Sequence, residues 1–289
     1  MTLIDFSAVR RALAFKAYEI EEAYDVYVSR PLGGLIAYAA RGAGVSPNQL
    51  TIVGALVGVV AGLSFYDAAL GVFGFLLLLL HGLIDSADGQ LARLTGRTSE
   101  LGRVLDGAGG YVTHIALYAA IAAGAVARGA SQTVWLVAIV AGISTVAHAQ
   151  MYDYHRTTYI DVVLKGRARN PNAPQHVPAW ARTVLRIYDA SQRLLIGEHA
   201  AVESLLARRA AGGLVPDADR ERYRQVFYAR VRGWNALGDN GRCFAVGICA
   251  VLGRPTWYFW WEIIVANAVL AGLWVWQRRA DRLFVSEFR

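Results

Sequence analysis

Charged residues are scarce in this sequence, and cysteines are scarcer still. Asp, Glu, Lys and Arg make up only 18% of the 289 residues, whereas a soluble domain usually carries about 25%. The two cysteines, Cys243 and Cys249, fall in one apolar stretch, where we expect small buried side chains rather than a disulfide or a metal pair. These shortages argue against a disulfide-stabilised secreted domain and against a soluble enzyme.

Long hydrophobic runs take the place of the missing charge. Hydrophobic residues make up 55% of the chain, and Arg-rich segments separate the runs. This pattern predicts an all-α, polytopic membrane protein with six transmembrane helices. We expect these spans at about residues 49–66, 68–93, 102–126, 133–152, 242–252 and 257–276.

The net charge of +7 has two interpretations, a nucleic-acid partner or basic segments beside membrane spans. We favour the second and expect no nucleic acid, because nearly all basic residues that flank the six predicted spans fall on one side. The positive-inside rule then places both termini on the cytoplasmic face of the cell (inner) membrane.

The first 45 residues predict a helical leader at the membrane surface. Charged and apolar residues alternate at helical spacing over residues 6–27, so we expect an interfacial amphipathic helix, with a solvated leader as the alternative. Residues 31–43 are apolar but too few to span a bilayer, so we expect a second interfacial helix. Arg10, Arg11 and Lys16 make the leader too polar for a cleavable signal peptide.

The rest of the chain divides into three regions. Residues 46–156 hold spans one to four, residues 157–238 form a basic cytoplasmic insertion, and residues 239–289 hold the last two spans and a tail. Within the insertion, residues 178–195 and 217–234 are compatible with helices. Its arginines form either a solvated basic face or a surface for anionic lipid; they include Arg167, Arg169, Arg182 and Arg186.

Three carboxylates stand at the ends of apolar runs, where unpaired acids are costly and therefore suggest function. Asp85 and Asp88 lie on one helical face, and Asp106 lies on the next predicted helix. If the two helices meet along these faces, the acids converge on one point. Carboxylate oxygens suit Mg²⁺ or Mn²⁺ rather than zinc. The alternative is a set of interfacial salt bridges to neighbouring arginines.

The arrangement of these acids resembles a known family. The chain reads Asp85-Ser86-Ala87-Asp88-Gly89-Gln90-Leu91-Ala92-Arg93 and then Gly102-Arg103-Val104-Leu105-Asp106. This is similar to the D-x-x-D-G-x-x-A-R…G-x-x-x-D-x-x-x-D signature of the CDP-alcohol phosphotransferases. The resemblance covers residues 45 to 155 well and the last two spans loosely. It departs at the fourth acid, where this chain has Gly110.

The resemblance implies a function and a set of partners. Members transfer a substituted phosphate from a CDP-linked donor, such as CDP-diacylglycerol or another CDP-alcohol, to an acceptor alcohol and release CMP. It also implies a divalent metal and a homodimer in the lipid bilayer. The implied metal ligands are Asp85, Asp88 and Asp106. The implied donor-binding residues are Asn48, Asp85, Gly89, Ala92 and Arg93.

Several roles remain open from the residues alone. Ser46 predicts a helix cap before Pro47, so that Asn48 is either a donor contact or only part of a helix start. Arg93 either binds phosphate or extends towards lipid headgroups. Asp106, Arg93 and His114 are the catalytic candidates; His114 lies one turn beyond Gly110 and is either a base near neutral pH or a structural side chain.

Other histidines and tyrosines also have candidate roles. His81 precedes Asp85 by one turn and is a candidate to contact and orient the acids without binding the metal itself. Four residues at the end of span four, His148, Tyr152, Tyr154 and His155, are candidates to line an acceptor pocket.

The replacement of the fourth acid by Gly110 motivates a second function hypothesis. In that hypothesis the protein is a non-catalytic or altered relative that binds a CDP-lipid or a partner protein. A third hypothesis, a transporter that uses the acids as a cation relay, is disfavoured because relay acids usually lie mid-span in broken helices.

Overall fold

The computed structural model describes residues 17–98, 100–168 and 179–288. Within them the chain is helical, with no β-strand. Ten helices are used below. In chain order they are α1 (Arg30–Gly42), α2 (Pro47–Ser64), α3 (Gly71–Thr95), α4 (Glu100–Ala127), α5 (Thr133–Tyr159), α6 (Ala179–Leu195), α7 (His199–Ala210), α8 (Asp217–Trp234), α9 (Asp239–Val251) and α10 (Trp257–Ser286).

Five helical segments among the described residues are long and apolar enough to cross a membrane. The predicted count of six is therefore not confirmed. At the fifth predicted span the structure has α9, whose 13 residues extend only ~20 Å at ~1.5 Å per residue, short of the ~30 Å hydrocarbon core. The five candidate spans are Pro47–Ser64, Ala68–Thr95, Val104–Ala127, Thr133–Leu164 and Trp257–Ser286.

The N-terminal amphipathic helix predicted over residues 6–27 is not confirmed. Residues 6–16 of it lie outside the described residues. The described remainder contains a 3₁₀ turn at Tyr18–Ile20 and a π-helical turn at Asp25–Ser29 that leads into α1. The helix predicted over residues 31–43 is present as α1.

The start of α2 has the predicted cap. The Ser46 hydroxyl accepts a hydrogen bond from the Gln49 amide at 3.3 Å, and the Gln49 side-chain oxygen accepts one from the Ser46 amide at 2.8 Å. This reciprocal pair satisfies two of the amides that a helix start leaves without partners, and Pro47 occupies the first helical position. Helix α3, which carries Asp85 and Asp88, ends at Thr95. The next residue is Gly96, whose φ of 66° lies in the left-handed region that favours glycine.

The described chain forms two compact units. Unit 1 comprises Glu22–Gly142 and Cys243–Trp261 with the described residues before Glu19, and unit 2 comprises Glu19–Glu21, Ile143–Arg242 and Glu262–Arg289. Both cysteines belong to unit 1 and both are free thiols.

In unit 1, a stripe of glycines on α2 admits two neighbouring helices. A Cβ atom built on Gly54 would lie 3.0 Å from Ile84 Cγ2 of α3, and one on Gly62 would lie 2.6 Å from the Leu117 amide nitrogen of α4. Gly58, between them, faces both helices. Small residues at four-residue spacing permit such close approach between membrane helices. Helix α2 is therefore the common neighbour that holds α3 and α4 in place.

In unit 2, helices α7, α8 and the end of α10 are joined by buried polar contacts. His199 Nδ1 lies 2.7 Å from Asp281 Oδ1, and His199 Nε2 lies 3.2 Å from the Tyr223 hydroxyl. At the surface, hydrogen bonds from Arg282 and Arg278 lower the pKa of Glu198 to about 2. The helices predicted over residues 178–195 and 217–234 are present as α6 and α8, whereas α7 was not predicted.

Candidate active site

Helices α3 and α4 bring the three predicted acids together. Asp85, Asp88 and Asp106 each offer a carboxylate oxygen, and these oxygens all lie within 4.8 Å of one another. Asp85 is exposed, Asp106 is partly exposed, and the Asp88 residue is only 5% exposed. The convergence follows from the fold, because both helices that carry the acids pack against α2.

The donor set of this cluster fits a hard divalent cation. Asp88 Oδ2 is buried and accepts no hydrogen bond from any described residue, although a buried carboxylate oxygen normally has a partner. A cation beside Asp85 and Asp106 would supply that partner. Three carboxylates offer only oxygen ligands, which suit Mg²⁺ or Mn²⁺.

Helix α2 adds a polar group that the sequence argument missed. The Thr51 hydroxyl is in hydrogen-bonding position to the Asp88 carboxylate and also lies 3.1 Å from the Pro47 carbonyl oxygen. One hydroxyl proton serves only one of these acceptors at a time. Its spacing from the predicted cap, one turn after Pro47, was the available signal. Asn48, the predicted donor contact, is exposed near the start of the same helix.

Beyond the acids, the remaining motif residues of α3 continue along the helix. A Cβ atom built on Gly89 would lie 3.4 Å from Arg93 Nη1. The Arg93 side chain therefore extends back along α3 over Gly89, as long helical side chains generally do. Ala92 is partly exposed. Arg93 thus lies along the part of the helix that carries Asp88.

On α4, the position of the missing acid is open. A Cβ atom built on Gly110 would meet no described atom within 4 Å, so a larger side chain is sterically acceptable there. One turn further along, His114 Nδ1 lies 2.9 Å from the Gly110 carbonyl oxygen. A carbonyl oxygen only accepts hydrogen bonds, so Nδ1 must carry the proton and Nε2 keeps a lone pair.

His81 lies on the side of α3 that packs against α2. Its Nδ1 atom lies 2.8 Å from the Gly54 carbonyl oxygen. The histidine therefore fixes the helix that carries Asp85 and Asp88 against the glycine stripe of α2.

The acceptor-pocket hypothesis for the end of span four is wrong for three of its four residues. His148, Tyr154 and His155 are 1%, 2% and 1% exposed, so they do not line an accessible pocket. His148 lies beside Glu262 at 3.1 Å, and His155 stacks on Trp234 with ring centroids 4.6 Å apart. Their partners are more than 75 residues away in sequence, which the local pattern cannot show.

Comparison with known proteins agrees with this geometry. Residues 44–169 match the family model described as CDP-alcohol phosphatidyltransferase. All three clustered acids, and Gly110, lie within the matched residues.

A curated relative matches a shorter part of the chain. It is named archaetidylinositol phosphate synthase, comes from Pyrococcus horikoshii, and is 41% identical over 63 residues. The match covers 22% of this chain and 33% of the relative, so the chain spans about a third of the length of the curated relative it matches.

Proposed function

We propose that the protein transfers a substituted phosphate from a CDP-linked donor to an acceptor alcohol and releases CMP during phospholipid synthesis. The observation that carries the proposal is the convergence of Asp85, Asp88 and Asp106 within the residues that match the CDP-alcohol phosphatidyltransferase family model. The donor is CDP-diacylglycerol or another CDP-alcohol, and the relative from Pyrococcus horikoshii supports an acceptor used in making a phospholipid.

The three acids are the residues that would hold Mg²⁺ or Mn²⁺. When bound, such a cation neutralises the donor diphosphate and polarises its phosphoryl oxygens. Arg93 is placed to donate charge-assisted hydrogen bonds to a donor phosphate beside Asp88. Gly89 and Ala92 have small side chains or none, so a nucleotide can approach the backbone of α3 closely. Asn48 offers a side-chain amide at the start of α2.

His114 is the proposed base in place of the missing fourth acid. Its Nε2 lone pair, fixed by the Nδ1–Gly110 contact, accepts the proton of the acceptor hydroxyl. The acceptor oxygen bonds to phosphorus as the phosphoanhydride bond to CMP breaks. A positioned general base typically contributes about 10²–10⁴-fold in rate, so His114→Ala should lower turnover by about that factor.

The decisive experiment is CMP release by the purified protein with a panel of CDP-linked donors and alcohols, in Mg²⁺ or Mn²⁺. We expect turnover that needs the divalent cation and is lost in Asp88→Asn and Asp106→Asn. CMP release that survives both substitutions would overturn the proposal. His114→Ala, which leaves the acids intact, separates loss of the base from loss of the cation site.

The alternative function, binding of a CDP-lipid without catalysis, is favoured by the glycine at position 110. A Cβ built there would meet no described atom within 4 Å. If the protein binds CDP-linked lipid without turning it over, then Gly110→Asp should create CMP release that the native chain lacks. The open space around this position allows the substitution without a clash. Robust turnover by the native protein would remove this alternative.

The same proposal includes orientation and assembly. Basic residues flank the predicted spans on one side, so we propose that the acids and both termini face the cytoplasm. The family resemblance supports a homodimer. Labelling of an engineered Ser286→Cys from either side of sealed vesicles tests the orientation, and light scattering in detergent tests the dimer.

A further inference from the structure

Helix α6 of unit 2 carries a stripe of basic charge. Arg182, Arg186 and Arg193 are spaced by four and seven residues, so on a helix with ~100° per residue they lie within ~40° of one another. Arg186 and Arg193 are exposed, and neither forms an ion pair with any described residue. By contrast, Arg278 of the same unit pairs with a carboxylate at 2.6 Å. Among the described residues, no ion pair therefore neutralises the charges of Arg186 and Arg193.

The C-terminal end of α6 is held against α5. Gln150 of α5 donates a side-chain hydrogen bond to Ser191 at 2.7 Å, and Gln192 donates one to the Gln150 carbonyl oxygen at 3.2 Å. Ser191 lies on the opposite side of α6 from the arginine stripe, and Gln192 lies about a quarter-turn away from it. The stripe therefore faces away from α5.

A second contact attaches the same end of α6 to α10. Trp274 Nε1 donates a hydrogen bond to the Leu195 carbonyl oxygen at 3.3 Å. This carbonyl is among those that a helix end leaves without an intrahelical partner. Trp274 also stacks with Arg278, whose guanidinium carbon lies 4.5 Å from the ring centroid, an arrangement suited to a membrane–water interface.

The two attachment points lie at the same depth along their spans. Gln150 is about 17 residues after Thr133, and Trp274 is about 17 residues after Trp257, which is ~26 Å along each helix at ~1.5 Å per residue. The hydrocarbon core is ~30 Å thick. If each candidate span enters the hydrocarbon core at its first residue, both contacts lie near the opposite membrane–water interface.

An exposed apolar side chain completes the surface. Leu194, which adjoins Arg193, is 86% exposed within the protein. At the depth just derived, its natural surroundings are lipid acyl chains, and the arginines beside it lie at the level of the phosphates. A basic face combined with an apolar side chain is the pattern of helices that lie on a membrane.

We propose that α6 binds the surface of an anionic bilayer, with Arg186 and Arg193 contacting lipid phosphates and Leu194 entering the acyl region. The partner is the lipid surface itself, chosen by charge complementarity and by the depth of the two attachment points. An arginine near an anionic leaflet favours the bound state by about fivefold. This surface does not depend on the proposed chemistry at the aspartates.

The test is the depth of a spin label at position 194, in the full chain with Cys243 and Cys249 replaced by alanine. Leu194→Cys is compared with a lipid reference, Leu76→Cys of α3, and with an aqueous reference, Ser286→Cys. Collision rates with oxygen and with a water-soluble nickel complex are measured in nanodiscs of phosphatidylcholine with and without about one third phosphatidylglycerol.

We expect the label at position 194 to be oxygen-accessible, as in the lipid reference, in anionic nanodiscs. It should shift towards the aqueous reference in neutral nanodiscs and in Arg186→Glu/Arg193→Glu, whereas Arg208→Glu on α7 should have no effect. A label that is water-accessible in both lipid mixtures would overturn the proposal. A label shielded from both reagents would indicate a protein partner and would also overturn the proposal. The same holds for a label whose depth does not change with lipid charge.

Discussion

Removal of the buried carboxylate at Glu262 should destabilise the protein far more than its conversion to an amide. Glu262 Oε2 lies 3.1 Å from His148 Nδ1. Asn267 donates to Ser144 Oγ at 2.9 Å and to the Ile263 carbonyl oxygen at 3.0 Å, so its own oxygen faces His148 Nε2 at 3.0 Å. The histidine therefore carries a proton on Nε2, and a further proton lies between Nδ1 and Glu262.

The magnitudes follow from what each substitution leaves behind. His148 and Glu262 are 1% and 0% exposed, so Glu262→Ala leaves a buried imidazole nitrogen without its partner. A buried polar group left without its partner costs about 1–3 kcal/mol, and the cavity left by the removed side chain adds to that cost. Glu262→Gln retains an N–H donor towards Nδ1, and hydrogen bonds between membrane helices average about 0.6 kcal/mol. We therefore expect Gln to cost no more than about 1 kcal/mol.

The assay is equilibrium unfolding of the purified protein by SDS in mixed micelles, followed by circular dichroism. His148→Ala and the double substitution His148→Ala/Glu262→Ala complete a double-mutant cycle. Because the second substitution removes the group left unpaired by the first, we expect the double variant to be about 1–3 kcal/mol more stable than additivity predicts. Strict additivity, or equal losses for Gln and Ala at position 262, would refute this reasoning.

Two further predictions concern helix packing and acid sensitivity. Gly124→Ala should lower the free energy of unfolding by about 1–3 kcal/mol, because its Cβ would lie 2.0 Å from the Tyr66 carbonyl oxygen. The control is Gly142→Ala, which should not lower it, because a Cβ there meets no described atom within 4 Å. The same SDS titration compares the two variants. The pKa of Glu198 is lowered to about 2 by its two arginine partners on α10. The stabilisation from these ion pairs is therefore complete above the ordinary glutamate pKa of about 4.3 and is lost as pH falls towards 2. Glu198→Gln should therefore make thermal unfolding midpoints less dependent on pH between pH 4.5 and 2, and an unchanged dependence would contradict this assignment.

Local signals were sufficient for the start of α2 and for the acid cluster. Ser46 and Pro47 define a helix start through chemistry that operates within one turn. The acids could be predicted because their spacing fixes which helix faces carry them, and α2, with its glycines, brings those faces together. The Ser46 cap needs no long-range contact, whereas the convergence of the acids depends on the packing of α3 and α4 against α2.

The extent of α5 and the partners of its histidines in unit 2 could not be predicted from the sequence. Helix α5 continues beyond the predicted end at residue 152 because Tyr154 and Tyr159 are buried by protein rather than by lipid, a distinction that hydropathy does not make. The carboxylate partner of His148 is Glu262, on the last span. His148 and His155, which were predicted to line an acceptor pocket, are instead packed inside unit 2.

The measurement that tests the central claim most directly is Mn²⁺ binding, followed by the loss of the free-ion signal in electron paramagnetic resonance. The native protein should bind Mn²⁺ in competition with Mg²⁺. Asp88→Asn, which removes charge at the buried oxygen, should weaken binding at least about tenfold, and Asp217→Asn at an exposed acid of α8 should leave it unchanged. Equal Mn²⁺ affinity in the native protein and Asp88→Asn would contradict a metal centre at Asp85, Asp88 and Asp106.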